Sequence, residues 1–462
     1  MTITKNIIIP VLAAAGLSLL SGCNIYGKFK MPKDTPLTEA YVKACEAEVD
    51  STAFGNLRWQ QVFTDPMLTD LIYQALKTNT NLANAKLNVD IAHANLQGAR
   101  LSYLPSVALS PNGAGASYAG NAMSWSYQLP LSVSWEIDIF GKLLNSNLTA
   151  KASYLQSQSY EQAVRSQIIS AVANTYYAIA MTRAQLELQR ETSVKWAETV
   201  QTMLDLKEAA YLNEASVVQT RAQYYGILGQ ITDTETSLNK LYNTMSLLLN
   251  TQPQEWTTSA DALITLPQII REEVPMRELA ARPDVKAAEY SLAAAYYTTA
   301  SARAAFYPGL NITANGGFTN LLGSMIVNPG DWFVQLAGSL AAPLFARGQN
   351  IARLKGAKAR QQQALNTFEY TLLSAASEVS NAMTTYNQAT EKSEYLKQQI
   401  ANLDRAVDVT QTLLKLGTTG TTYLEVITAQ QNLLSAQMGQ LACDYSRTQA
   451  LINLYQSLGG GR

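Results

Sequence analysis

From Leu68 onward the apolar positions Leu68, Leu71, Ile72, Ala75 and Leu76 recur at helical spacing. Asp65 is placed to cap this helix and Pro66 suits its first turn. The pattern predicts a helix running to about Tyr103 and stopping ahead of Pro105, because a residue preceding proline is driven out of the helical region. Between Val107 and Phe140 the period changes to two. Tyr127, Leu129, Leu131, Val133, Trp135, Ile137 and Ile139 alternate with Gln128, Pro130, Ser132, Ser134, Glu136 and Asp138. That is the signature of a strand with one apolar and one wet face.

The second half repeats the sequence of events. Leu310, Ile312, Ala314 and Phe318 alternate with Asn311, Thr313, Asn315 and Thr319, and a less clean alternation follows from Trp332 to Leu340. Each half predicts one hairpin, with turns near 117–124 and 321–331. Ala99-Arg100 followed by Pro105 matches Ala302-Arg303 followed by Pro308. Downstream, Ala150-Lys151-Ala152 keeps step with Ala357-Lys358-Ala359, Val172 with Val379, and Asn174 with Asn381, all about 203 to 207 residues apart. Shared order across proline, strands and helix marks an internal duplication.

After Gly141 there is no glycine or proline until Gly226, and after Gly356 none until Gly417. A helix of some 60 residues is roughly 90 Å long, more than a single globular core spans. Breaks at 209–216 and 416–422, the second carrying Gly417 and Gly420, predict that each long helix reverses into a returning one. Ala, Gln, Asn, Thr and Ser crowd these helices, so the expected packing is through thin interfaces with polar outer faces.

Four isolated strands with no other β-rich segment make neither a sandwich nor a membrane barrel. The smallest membrane barrels have eight strands, and an open edge is not tolerated in lipid. Several chains must pool their hairpins. No stretch after the N-terminus has the roughly 18 apolar residues of a spanning helix, so a membrane would be crossed by strands.

Residues 1–22 read as a signal peptide: Lys5, an apolar run from Ile7 to Leu20, then Leu20-Ser21-Gly22-Cys23. The pattern resembles a bacterial lipoprotein signal, which implies cleavage before Cys23, acylation of that residue, and export. Asn24 after the cysteine favours the outer membrane. The division that follows is a lipid-anchored tail over 23–60, a first repeat over 61–250 with its hairpin at 106–140, and a linker over 251–282 in an equatorial collar. A second repeat covers 283–456 with its hairpin at 309–344, and 457–462 form a flexible C-terminus. Cys45 and Cys443 lie near opposite ends of the chain, and the sequence leaves open whether they pair.

A net charge of -1 with 15% charged residues leaves no basic field for nucleic acid. His93 is the lone histidine, so no histidine-rich metal cluster is expected. The 11 methionines are scattered. No glycine-rich phosphate loop is present, and nothing has the pattern of an active site. The expectation is a protein that is not an enzyme and carries no cofactor beyond the covalent lipid on Cys23.

Four motifs carry a family resemblance: the Leu20-Ser21-Gly22-Cys23 lipobox, Phe63-Thr64-Asp65-Pro66, the run Trp135-Glu136-Ile137-Asp138-Ile139-Phe140-Gly141-Lys142, and Tyr423-Leu424-Glu425-Val426-Ile427-Thr428-Ala429-Gln430. With these the chain resembles outer-membrane efflux proteins of the TolC/OprM/CusC type over residues 20–456. The resemblance implies a mostly α fold with a small β part: a long α-helical barrel joined to a transmembrane β-barrel. The β-barrel is completed by trimerisation, with four strands per chain.

The implied partners are two further copies, a periplasmic membrane-fusion adaptor, an inner-membrane pump of the RND type, and outer-membrane lipid. The implied function is passive conduction of small molecules, gated at the periplasmic helix tips. Glu425 matches a family acid near the closed tip, and the family often has a second acid where this chain has Thr428. Leu416 is a candidate for an apolar gate. Glu136 and Asp138 are expected to face the lumen at the barrel base, with a structural role in holding Lys142 or nearby arginines. The alternatives are an exit duct for protein or peptide secretion and a structural coiled-coil lipoprotein.

Overall fold

The computed structural model describes residues 27–33, 35–46, 57–117, 119–120, 122–259, 276–319, 331–343, 345–416 and 423–461. Its elements in order are α1 (Pro36–Glu46), α2 (Trp59–Val62), α3 (Pro66–Thr78), α4 (Thr80–Leu101), β1 (Ser106–Leu109), β2 (Asn112–Ala116) and β3 (Ser124–Ile137). Then come α5 (Lys142–Glu208), α6 (Glu214–Leu248), α7 (Met276–Ala280), α8 (Pro283–Ala304), β4 (Gly309–Thr319), β5 (Asp331–Ala341), α9 (Gln349–Lys415) and α10 (Tyr423–Ser457).

The duplication is metrically strict. α4 and α8 both have 22 residues, α5 and α9 both have 67, and α6 and α10 both have 35. Their starts lie 203 (Thr80, Pro283), 207 (Lys142, Gln349) and 209 (Glu214, Tyr423) positions apart, so length differences fall only in hairpin and tip.

The chain forms two compact units. One holds the described residues of Met1–Thr38, Asn88–Gln158 and Ala287–Glu369, and contains the sheet. All strand pairs are antiparallel, in the order β1-β3-β4-β5 with β2 also on β3. The expected first strand is split into β1 and β2 without loss of register, since Leu109 faces Leu131 and Asn112 faces Gln128. The split falls at Pro111, which has no N–H for the ladder, and Ser110 donates to the carbonyl of Pro130 across the gap, 3.1 Å. In this unit the N-terminal tail is strapped down rather than loose. Phe29 N–H donates to the Tyr297 hydroxyl, and Thr35 Oγ1 to Glu369 Oε1 at 2.8 Å.

The second unit comprises the described residues of Glu39–Leu87, Ser159–Lys286 and Tyr370–Arg462. The thin helix interfaces expected from composition give way here to a solid core. Ile169, Val172, Ala173, Tyr176 and Ile179 of α5 are fully buried, together with Leu68, Ile72, Trp59 and Phe63. At this level most of the circumference of α5 is buried, with Ser170, Thr175 and Thr182 enclosed among the apolar side chains.

Three expectations are corrected. The single helix to Tyr103 is two helices, because Asn79 takes an extended conformation and its Oδ1 accepts from the N–H groups of Asn81 and Leu82, capping α4. α4 then ends at Leu101. Part of the tail over 23–60 is helical, in α1 and α2. The C-terminus expected to be flexible is buried over 459–461. Ser166 Oγ donates to the Gly460 carbonyl at 2.6 Å, and Gly461 N–H to the Tyr455 hydroxyl. Gly460 lies so close to the Tyr455 ring that an added Cβ would sit 2.4 Å from it, so glycine is what permits this packing. The pairing left open for Cys443 is not made: its Sγ donates to the Ala389 carbonyl at 3.0 Å within the core, and burial raises the thiol pKa.

Candidate functional site

Residues paired across antiparallel strands project to the same side of a sheet. The register therefore sorts every side chain in the first unit. Val133 faces Val107 on one neighbour and Ala314 on the other, and Ala314 faces Leu336. The same series runs Leu131, Leu109, Gly316 and Val334, then Leu129, Phe318 and Trp332, then Trp135, Ile312 and Gly338. One face of the sheet thus carries apolar side chains and glycines, its polar atoms being the Tyr127 hydroxyl and the tryptophan ring N–H groups. The opposite face carries Ser132, Ser134, Glu136, Asn311, Thr313, Asn315 and Gln335. The apolar face is uncovered in the chain: Leu131 is 48% exposed, Val334 72% and Leu336 76%. On both outer edges, β1–β2 and β5, the strands have a neighbour on one side only.

Aromatic residues bracket this face. Trp125, Phe318 and Trp332 lie toward the turn ends of their strands. Trp135 lies toward the helices, its Nε1 donating to the Tyr103 carbonyl at 2.9 Å. Phe140 stacks on Tyr307 at 5.0 Å between ring centroids.

The passage from strand to long helix is made at Gly141 in the first repeat and at Gly348 in the second, with φ of 71° and 76°, a left-handed conformation that suits glycine. Asp138 Oδ2 accepts the Leu144 N–H of the first turn of α5 at 2.7 Å. Glu136 Oε1 meets Lys142 Nζ at 2.8 Å. The structural role expected for these acids, holding Lys142, is performed by Glu136, while Asp138 caps α5. The second repeat has Pro343 and Phe345 at the corresponding positions, so this junction is built once.

At the far end of α5 the chain turns through Ala210, at φ 62°. Ala210 N–H donates to the Lys207 carbonyl and Tyr211 N–H to that of Leu206, both 2.9 Å, a Schellman closure. Asn213 caps α6 through Ser216 N–H. Lys207 pairs with Glu214 across the turn, and this hydrogen bond and charge hold the Glu214 carboxyl below its usual range.

The second tip, 417–422, lies outside the described residues, as does Cys23. Leu416 follows the last residue of α9 and is 71% exposed. Glu425 stands in the first turn of α10. It shares an exposed face with Thr428, whose Oγ1 donates to the Leu424 carbonyl at 2.7 Å. Glu425 and Thr428 are thus brought to one face, whereas no described contact joins Leu416 to either. Behind that face Val426 and Ile427 are buried, and Ile427 packs with Trp196 of α5 and Ile227 of α6. Tyr423 OH donates to Gln219 Oε1 at 3.2 Å, tying the start of α10 to α6. Sequence reasoning did not find this knot. Its signal was Trp196, the sole tryptophan in the 67 residues of α5.

A duplicated chain of long helices with an uncovered apolar sheet face defines the class of channel-forming outer-membrane proteins. The sequence model of the family described as outer membrane efflux protein matches residues 71–251 and 274–460, and the chain belongs to that family. It is 26% identical over 463 residues to the probable outer membrane lipoprotein SilC of Salmonella typhimurium, covering 98% of each chain. It is 27% identical to the toluene efflux pump outer membrane protein TtgC of Pseudomonas putida, covering 96% of this chain and 93% of that one. The open-state crystal structure of the MtrE outer membrane channel of Neisseria gonorrhoeae superimposes with a TM-score of 0.77 at 27% identity, covering 90% of this chain and 94% of that one.

Proposed function

We propose that three copies of this chain form an exit duct through the outer membrane for a tripartite efflux system. The observation that carries this reading is the continuous apolar sheet face with its two open edges. Such edges are not tolerated in lipid, so the sheet must close against others. Three copies give a closed barrel of twelve strands when β1 and β2 count as the one interrupted strand their register makes them. From Trp125 to Trp135 a strand extends roughly 34 Å, which at the usual tilt of about 40° spans roughly 26 Å, close to the apolar band of known outer-membrane barrels. Acylation at Cys23 adds a lipid anchor.

In this reading the polar face lines the aqueous path, and the helix tips meet a periplasmic adaptor that bridges to an inner-membrane pump, of the RND type by resemblance. The pump supplies the energy. The duct conducts passively, needs no cofactor and is not an enzyme. Glu425 and Thr428, repeated by symmetry, are the candidate constriction, with Leu416 as an apolar contribution to closure. Relatives of this chain are named for the efflux of cations, toluene and antibiotics, which fits a duct whose selectivity is set elsewhere in the assembly. Family membership favours efflux over the secretion and structural alternatives.

The test is single-channel recording of the acylated protein in planar bilayers, beside Glu425→Ala and Leu416→Ser. Small cation-selective events that enlarge or lose selectivity in the variants support a gated duct. Silence of the wild type and of both variants would refute it.

A further inference from the structure

The duplicated arginine and lysine motifs take no part in the strand register, the helix caps or the tips. Arg100 and Arg303 are the penultimate residues of α4 and α8, directly before the chain enters the sheet, and both are exposed. Lys151 and Lys358 are each the tenth residue of a 67-residue helix leaving the sheet, again exposed. On α9 the cluster is enlarged by Arg353, Lys355 and Arg360, all exposed, within its first twelve residues or roughly 18 Å. None of these side chains makes a described ion pair.

The surrounding sequence is unusual in sign. Residues 91–105, 141–160, 290–308 and 342–368, the four stretches that adjoin the strands on the helical side, contain no Asp or Glu. On the strand side Glu136 is engaged by Lys142 and Asp138 by the start of α5, and on the helices these stretches are bounded by Asp90, Glu161, Glu289 and Glu369. A chain of nearly zero net charge therefore concentrates unpaired positive charge in one zone, immediately below the apolar face. Helix-dipole complementarity accounts for Arg100 and Arg303, in the last turns of α4 and α8, but not for the α9 cations, which lie beyond the first turn of their helix.

We propose that this zone is a docking surface for anionic phospholipid headgroups on the periplasmic side of the outer membrane, with Arg353 and Arg360, seven positions apart on one face of α9, as its centre and Arg100 and Arg303 extending it. The inference rests on the reading that the apolar sheet face lies in lipid. Its occupant follows from continuity with that face and from charge. A headgroup layer begins where the apolar band ends, and basic residues there attract anionic lipid over about a Debye length.

The experiment uses full-length acylated protein in bilayers of mixed phosphatidylglycerol and phosphatidylcholine. The protein is extracted in mild detergent and the retained phospholipid is quantified by mass spectrometry. Wild type should retain phosphatidylglycerol several-fold above its bulk share, less so as salt rises. The R353Q/R360Q variant should fall to about the bulk share, K355Q/K358Q on the opposite face of α9 should keep the enrichment, and R100Q/R303Q should lose part of it, which keeps the test open if R353Q/R360Q folds poorly.

Retention at the bulk ratio by wild type, in a protein that inserts and conducts, would overturn this inference and leave the duct intact. The same holds if the R353Q/R360Q variant keeps its enrichment while changing ion selectivity, since that face of α9 would then line the conduction path. Wild type that does not insert into these bilayers would remove the duct and this inference together.

Discussion

The Nδ2 of Asn79 lies 2.8 Å from the carbonyl oxygen of Leu248, joining the start of α4 to the end of α6. In the second repeat Arg282, 203 positions on, donates from Nη1 to the carbonyl of Ser457, 209 positions on from Leu248, at 2.7 Å. The same joint has been built twice with different chemistry. Each satisfies a terminal helix carbonyl that has no partner within its own helix. The second joint is the more heavily braced, since Arg282 also holds Asp284 and Glu378, both at 2.8 Å. Burial works against the Arg282 charge, but these two carboxylates outweigh it and raise its pKa.

Removing either donor should loosen its repeat, unequally. Asn79→Ala loses a cap and a carbonyl partner and is expected to cost about 2 kcal/mol. Arg282→Ala strands two carboxylates and a carbonyl and is expected to cost about 3 kcal/mol, near the low end for a buried pair because the acids are half exposed. Thermal unfolding in detergent should place Arg282→Ala below Asn79→Ala and both below wild type. Equal midpoints for all three would show that the joints bear no load.

Tyr176 reports on the core at a particular pH. Its hydroxyl donates to Asp65 Oδ2 at 2.6 Å, and Ser259 donates to the same oxygen. Burial first, and then the hydrogen bond to Asp65, push the phenol up to about 12. Between pH 10 and 12 the folded protein therefore keeps a proton that the unfolded chain releases, so stability is full below pH 10 and falls as pH rises through that window. Tyr177 is shifted the same way by burial. Tyr176→Phe should flatten part of the alkaline decline in unfolding midpoint, leaving the Tyr177 share. An unchanged decline would contradict this assignment.

The sheet offers a paired test of close approach. At Gly317, which faces Pro130, an added Cβ would sit 2.0 Å from the Leu129 carbonyl oxygen, whereas at Gly338 nothing lies within 4 Å. Gly317→Ala is expected to break the β3–β4 pairing and abolish assembly in the membrane. Gly338→Ala should assemble as wild type does. The fraction of folded, heat-modifiable oligomer on gels distinguishes them.

Much of the architecture was legible because local patterns and global fold agree. The period-two runs and the gap between Gly141 and Gly226 each had one reading, and the repeat offsets carried them into the second half. What escaped was local chemistry against that grain. Asn79 breaks a helix that periodicity runs through, because its side chain offers the backbone a competing partner. Pro111 divides a strand whose register it leaves intact. The terminal glycines resembled a loose tail, yet they are where a chain lacking Cβ atoms can pack against Tyr455 and α5. The buried belt of α5 was visible in Ile168-Ile169, Val172-Ala173 and Tyr176-Tyr177, but a search for one apolar stripe passes over a helix buried around most of its circumference. At the tips, Glu425 and Thr428 were legible as one helix face, while the supporting contact between Trp196 and Ile427 spans more than two hundred residues.

The central claim is that one face of this sheet meets lipid and the other meets water. Single cysteines placed along β3 and β5, at Leu129, Leu131 and Val133, at Ser132 and Ser134, and at Val334 and Gln335, measure it directly in proteoliposomes. The account expects a strict alternation: Leu129, Leu131, Val133 and Val334 reached by a bilayer-soluble probe and shielded from a water-soluble maleimide, with Ser132, Ser134 and Gln335 reversed. Equal aqueous labelling of both faces would contradict it and remove the duct from the reading of this chain.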